Sequence, residues 1–277
     1  MSPKSLAVML VLAAALAAGA SLEARRAPAL TVDEQLAFLK TARVVSARPI
    51  GKGVTGALRL TLTDGVVTHD ASFQSVDSRA RSYEIAQGKR FAGELQFVDS
   101  YRYNVAAWEL ARLLGLEEMM PPTVERYYRG EPGAFSWWVD EVMMDEGQRE
   151  RTGTQPAGLD AVRVGRQRQQ MQVFAELVRD TDRNKGNLLY TKDWRLVMLD
   201  FTRAFRLQPE LRLPQALTTC DRALLDRLRG LRKQDVSRAA GRHLSPFEID
   251  ALMTRRDLIV ELFDRLVAER GASAVLF

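Results

Sequence analysis

The chain has 277 residues, with 40 lysines and arginines against 35 acids and a formal charge of +5, long enough for a sizeable core in one domain or two lobes. The basic excess is mostly arginine scattered along the chain rather than gathered into a stripe, which gives nucleic-acid binding little support. Two histidines, His69 and His243, and one cysteine, Cys220, argue against a zinc site and against a serine–histidine–aspartate hydrolase.

Lys4 precedes an apolar run over 6–20 that ends in Ala18, Gly19 and Ala20. A positive start, an apolar middle and a small-residue end read as a signal peptide over 1–24. The run is shorter than the roughly twenty residues a spanning helix needs, and an uncleaved membrane anchor is the alternative. Either way the pattern predicts an exported protein, periplasmic or secreted, and a lone Cys220 fits that compartment without forming a disulfide.

Thr31 with Glu34 makes a capping-box signature ahead of an amphipathic helix over 32–42. Strand-like runs follow over 43–50, 57–63 and 66–76, the last two joined by Asp64-Gly65, a hairpin signal. Residues 77–100 are polar and give no clear element. The pattern next predicts a helix over 104–114 with Gly115 as its stop. A second hairpin is expected from 123–128 and 134–143, with its turn at 129–133. After a Gly/Pro/Thr-rich break at 147–158 comes a long helix over 160–179. Beyond a polar loop and a short strand pair, helices are predicted over 221–233 and 245–270, the last opened by Ser245, Pro246 and Glu248. The reading is an α+β chain in two lobes: a strand-rich half with one central helix over 25–146, and a mainly helical half over 147–277.

Gly51, Gly53 and Gly56 spell G-x-G-x-x-G around Lys52, a weak motif alone. In a dinucleotide-binding fold it must open a helix. Here it opens Leu58-Arg59-Leu60-Thr61-Leu62, a strand running into a hairpin. A glycine loop between antiparallel strands is what covers ATP phosphates in protein kinases; an ordinary flexible hairpin is the alternative. A kinase also needs a cation on the third strand. Gln74 occupies that place and is neutral. Lys52 and Lys89 are the other candidates to supply the charge, and the helical partner is open between Glu109, which Arg112 can pair on the surface, and Glu94.

Asp182 and Asn187 stand five apart, and Asp200 follows by thirteen after the apolar run Leu196-Val197-Met198-Leu199. Asn184 and Gly186 permit a tight loop, and a strand pair turning at Lys192-Asp193 would bring Asp200 beside Asn187. Hard oxygen ligands at these places suit Mg. An EF-hand would require Gly at Lys185, an apolar residue at Asn187 and Glu at Thr191, so that reading fails. A plain polar turn before a buried strand is the remaining alternative.

The run Asp182-Arg183-Asn184-x-Gly186-Asn187, an apolar strand, and Leu199-Asp200-x-x-Arg203-Ala204-Phe205 resembles the atypical branch of the protein-kinase-like superfamily. That branch includes phosphatidylinositol kinases, HipA-type kinases and secretory-pathway kinases of the Golgi casein kinase type. The segment from Asn104 to Leu110, with Leu113 to Leu116 and Pro121-Pro122, is similar to the helix and following loop of the secretory and lipid kinases. The resemblance implies ATP and Mg as cofactors, Asp182 as the catalytic acid-base residue, Asn187 and Asp200 as metal ligands, and Gly51, Lys52, Gly53, Gly56 and Gln74 as the nucleotide-binding set. Two positions depart from it: Gln74 stands where a lysine is expected, and Asn104 where its glutamate partner is. The expectation is therefore an exported Mg-ATP phosphotransferase acting on a protein, lipid or small-molecule acceptor. The alternative is a pseudokinase-type partner-binding module.

Overall fold

The computed structural model describes residues 30–51, 56–82 and 95–277. The signal-like segment, Lys52, Gly53, Lys89 and Glu94 lie outside the described residues.

In chain order the elements are α1 (Val32–Thr41), β1 (Arg43–Pro49), β2 (Leu58–Thr63), β3 (Thr68–Gln74), β4 (Asp77–Ser82), β5 (Leu95–Ser100), α2 (Arg102–Leu114), β6 (Thr123–Tyr128), β7 (Glu131–Trp137), β8 (Val142–Asp145), α3 (Glu146–Thr152), α4 (Gly158–Val178), β9 (Leu188–Thr191), β10 (Leu196–Met198), α5 (Arg222–Gly230), α6 (Lys233–Ala240), α7 (Pro246–Arg270) and α8 (Ala272–Val275). Five strands form an antiparallel sheet in the order β1-β2-β3-β7-β6. Alternation along β2 and β3 turns Leu60, Leu62, Ala71 and Phe73 inward, as a half-buried sheet requires. Helix α1 lies against β6 and β7, and α2 runs from β6 and β7 to α5 and α6. Trp108 at the centre of α2 is fully buried, so this helix joins the sheet to the helical half.

Both capping boxes form, at Thr31 with Glu34 and at Ser245 with Glu248. Several expected boundaries move. The strand expected over 66–76 begins at Thr68, because Asp64 Oδ1 accepts the amides of Val66 and Val67 at 2.9 and 2.7 Å and holds 64–67 as a four-residue loop. The second hairpin turns on two residues only, Arg129 and Gly130, with φ of 53° and 87°, the left-handed pair that matches strand twist. The strand expected over 134–143 is divided: β7 ends at Trp137, and β8 pairs with β9 in a second sheet, ordered β10-β9-β8. The segment 138–141 therefore crosses from one sheet to the other. The polar stretch 77–100 supplies a two-stranded ribbon, β4 with β5, and the break at 147–158 contains α3, capped by the Asp145 side chain. The helix expected over 221–233 ends at Gly230, and α6 starts afresh at Lys233. No helix among the described residues is long and apolar enough to cross a membrane.

The second sheet is tied to α3 and α4 by a buried charge cluster. Glu146, with a side chain 7% exposed, accepts from Arg149 and Arg168, and Arg168 also donates to the Tyr190 hydroxyl at 2.6 Å. Burial pushes the Glu146 carboxyl up, but the hydrogen bonds from Arg149 and Arg168 and the Arg168 charge outweigh it, and its pKa falls from 4.5 to about 2. A carboxylate held low in the folded state stabilises above its unfolded pKa and stops doing so as pH falls through the folded one. We expect about 3 kcal/mol of stability to be lost between pH 4.5 and 2 through this residue. Melting temperature against pH should fall steeply there in wild type, and the slope should flatten in Glu146→Gln.

Candidate active site

The loop after α4 is built around Arg183. The helix ends at Arg179 in the left-handed region, φ 46°, and the next residue, Asp180, buries its carboxylate completely. That carboxylate accepts the Asp182 amide at 3.0 Å and Arg183 Nε at 2.7 Å. Arg183 then donates to the carbonyls of Asn187 (3.2 Å), Leu199 (2.7 Å) and Asp200 (3.0 Å), with its guanidinium 4.2 Å above the Phe201 ring. One buried, counter-charged side chain thus fixes both the loop carrying Asp182 and Asn187 and the segment carrying Asp200.

Asn184 Oδ1 accepts the Gly186 amide at 2.9 Å and sets a single 3-10 turn, Lys185–Asn187. Strands β9 and β10 pair in register Met198 to Leu188, and the Leu199 amide reaches the Asn187 carbonyl at 2.9 Å. The expected return of Asp200 beside Asn187 is what this pairing produces. The Asn187 amide nitrogen donates to the Asp182 carbonyl at 3.1 Å. The side-chain oxygen therefore faces away from that carbonyl. Asp200 sits in the left-handed region, φ 53°, which aspartate tolerates better than most residues, and accepts from the Thr202 hydroxyl at 2.9 Å. Asp182, with a side chain 42% exposed, points an oxygen to 3.4 Å from Arg203 Nη1.

The two departures from the expected pattern meet each other. Asn104 on α2, nearly buried, donates to Gln74 Oε1 on β3 at 2.5 Å and accepts the Phe201 amide at 2.6 Å. A neutral amide couple thus joins sheet, helix and the Asp200 segment at the place of an ion pair. Glu109 is not the partner of Gln74. Its carboxyl is raised by burial, against the opposing charges of Arg112 and Lys40.

Gln74 and Asn104 line a cleft of 1180 Å³ together with Phe201 and Thr202. Gln74, Asp182, Asn187 and Asp200 border it, and so does the crossing segment from Trp137 to Val142. The base of the glycine loop borders it through Ile50 and Ala57, bonded amide to carbonyl at 2.9 Å. Gly51 and Gly56 flank that base, Gly56 with φ 66°. Asp99 on β5 adds a third carboxylate to Asp182 and Asp200. Burial raises its pKa, the Thr202 hydrogen bond opposes this, and the charge of Asp200 raises it further. The sequence alone assigns no role to Asp99, to the crossing segment, or to Arg183 and Arg203 within the motif.

Among the described residues, no three acid, histidine or cysteine side chains converge to hold a metal alone. The donor set still fits Mg, which keeps waters and uses one or two carboxylates plus substrate phosphates. Asp200 and the Asn187 side-chain oxygen are hard oxygen donors just outside the paired strands, Asn187 before β9 and Asp200 after β10.

No protein-family model and no curated protein matches this chain. Solved structures do. A hydra Fam20 determined with sugar superposes with a TM-score of 0.65 at 16% identity, covering 89% of this chain and 92% of its own. The Helicobacter pylori proinflammatory kinase CtkA superposes with a TM-score of 0.52 at 12% identity, covering 85% and 97%. The chain therefore shares with them the two-lobed protein-kinase-like fold.

Proposed function

We propose that the chain is an exported kinase-like phosphotransferase that uses Mg-ATP. The observation that carries this is the convergence of Asp182, Asn187 and Asp200 at one end of a cleft bordered elsewhere by the glycine-loop base and the inter-sheet crossing. The apolar run over 6–20 supports export.

In this reading the crossing segment, with Trp137, Trp138 and Val139, gives the base of the nucleotide an apolar wall. Asn187 and Asp200 would hold Mg, and Mg would neutralise phosphate charge there. Asp182 takes the proton of an acceptor hydroxyl as that oxygen attacks the terminal phosphorus. The bond from phosphorus to the bridging oxygen breaks, and ADP leaves with the electron pair. Arg183 and the Gln74–Asn104–Phe201 chain hold these groups in mutual register. The hydra structure carries a sugar, so sugar hydroxyls are the first acceptors to try, ahead of lipid headgroups and proteins.

A second reading is a pseudokinase-type binding module. The neutral Gln74–Asn104 couple favours it, because the β3 position supplies no charge to phosphates. Phosphate transfer from Mg-ATP to an acceptor panel separates the two. Asp182→Asn should keep nucleotide binding and lose transfer by about 10²- to 10⁴-fold. Binding in wild type with no transfer to any acceptor, including the protein itself, would support the second reading.

A further inference from the structure

The described cleft has an uneven charge. Asp99, Asp182 and Asp200 gather at its chemical end, Asp140, Glu141 and Asp145 also line it, and the β3 position that should face phosphates is the uncharged Gln74–Asn104 couple. Among the described residues, Arg203 is the one lysine or arginine that lines this cleft. A triphosphate entering such a site needs positive charge from the protein as well as from metal.

We propose that Arg203 is the residue that grips the terminal phosphate of the nucleotide, so that the cation has moved from β3 to the segment following Asp200. The proposal rests on the Mg-ATP reading of the cleft. Three observations place the guanidinium there. It lies 3.4 Å from Asp182 Oδ2, beside the group that receives the acceptor proton, and so next to where the transferred phosphoryl must pass. Its side chain is 28% exposed, sheltered but open to the cleft. Its backbone is fixed, since the Thr181 hydroxyl donates to the Arg203 carbonyl at 3.1 Å.

A guanidinium carries five N–H donors in a planar fork. It can therefore orient the Asp182 carboxylate and contact a phosphate oxygen at the same time. As the acceptor oxygen bonds to phosphorus and the bridging oxygen leaves with ADP, negative charge spreads over the three equatorial oxygens. Arg203 stays beside them throughout. Its grip falls on the terminal phosphate, so ATP should depend on it and ADP should not.

Titration calorimetry of the full chain with Mg-ATP and with Mg-ADP tests this, using wild type, Arg203→Gln and Arg203→Lys. Wild type should bind both nucleotides. Arg203→Gln should bind Mg-ATP about 10- to 100-fold more weakly, the value of a hydrogen bond to a charged group, and keep Mg-ADP within about twofold. Arg203→Lys should fall between, retaining charge without the fork. An equal effect on both nucleotides, or none on either, would overturn the assignment of Arg203 while leaving the cleft reading intact. Failure of wild type to bind either nucleotide would overturn the cleft reading and this assignment with it. The melting temperature of each variant without nucleotide checks that it is folded; if Arg203→Gln is not, an unchanged ATP-to-ADP preference in Arg203→Lys overturns the proposal.

Discussion

Arg183→Met should destabilise the protein by about 3–5 kcal/mol, the cost of leaving a buried charge without its partner. The abandoned charge is the Asp180 carboxylate, whose side chain is completely buried and paired with Arg183. Methionine fills much of the space above Phe201 but donates nothing to the carbonyls of Asn187, Leu199 and Asp200, which Arg183 now serves. For a chain of this size the melting temperature should fall by about 10 °C. Nucleotide response should vanish as well, because the loop of Asp182 and the segment of Asp200 lose their common tie. Lysine should not rescue the variant, since one ammonium cannot reproduce a fork serving four acceptors. A fall of less than about 1 kcal/mol in denaturant or thermal unfolding would contradict this role.

Arg255→Ala should have an effect of similar size for a different reason. Arg255, in the middle of α7, has no exposed surface. It donates to the carbonyl of Leu177 in the last turn of α4, and to those of Arg206 and Gln208 beyond the Asp200 segment. It therefore caps a helix end and docks the outgoing chain with one group. Burial, aided by the charge of Arg179, pushes its guanidinium pKa down to about 10, so it stays protonated across the working range. Alanine leaves three carbonyls without that donor and opens a cavity, together about 3–5 kcal/mol. Arg255→Met restores volume only and should recover part of the loss in a thermal melt. Both variants lie outside the cleft, so whatever protein remains folded should still bind nucleotide.

That Asp182, Asn187 and Asp200 come together was legible in the sequence because their geometry is local. Asp182, Asn187 and Asp200 sit on one loop and one tight strand pair, and the residues that shape them, Asn184, Gly186 and the β9–β10 hairpin, lie between them. The nucleotide end depends on distant contacts. Asn104 and Gln74 each looked like a lost half of an ion pair. Only the fold, which brings Asn104 of α2 to Gln74 of β3, turns them into a couple bridging to Phe201. Asp99 lay in a polar stretch without a readable period, and its meaning comes from β5 pairing with β4 beside the Thr202 segment. Arg183 falls within the motif and Arg255 within a predicted helix, but the burial of neither can be seen in a sequence rich in that residue. The crossing at 138–141 was hidden within the run 134–143, which reads as one strand. Its first part pairs with β3 and β6, while β8 beyond it pairs with β9.

A cleft that takes ATP through metal held at Asp200 should be stabilised by its nucleotide only when metal is present. The most direct test is the melting temperature of the full chain with Mg-ATP, with ATP and a chelator, and with neither, in wild type and Asp200→Ala. Wild type should rise by about 5 °C at Mg-ATP well above its dissociation constant. The chelator should abolish that rise, and Asp200→Ala should show none while melting normally without nucleotide. A wild type unmoved by millimolar Mg-ATP, or an Asp200→Ala variant that responds as wild type does, would contradict the account.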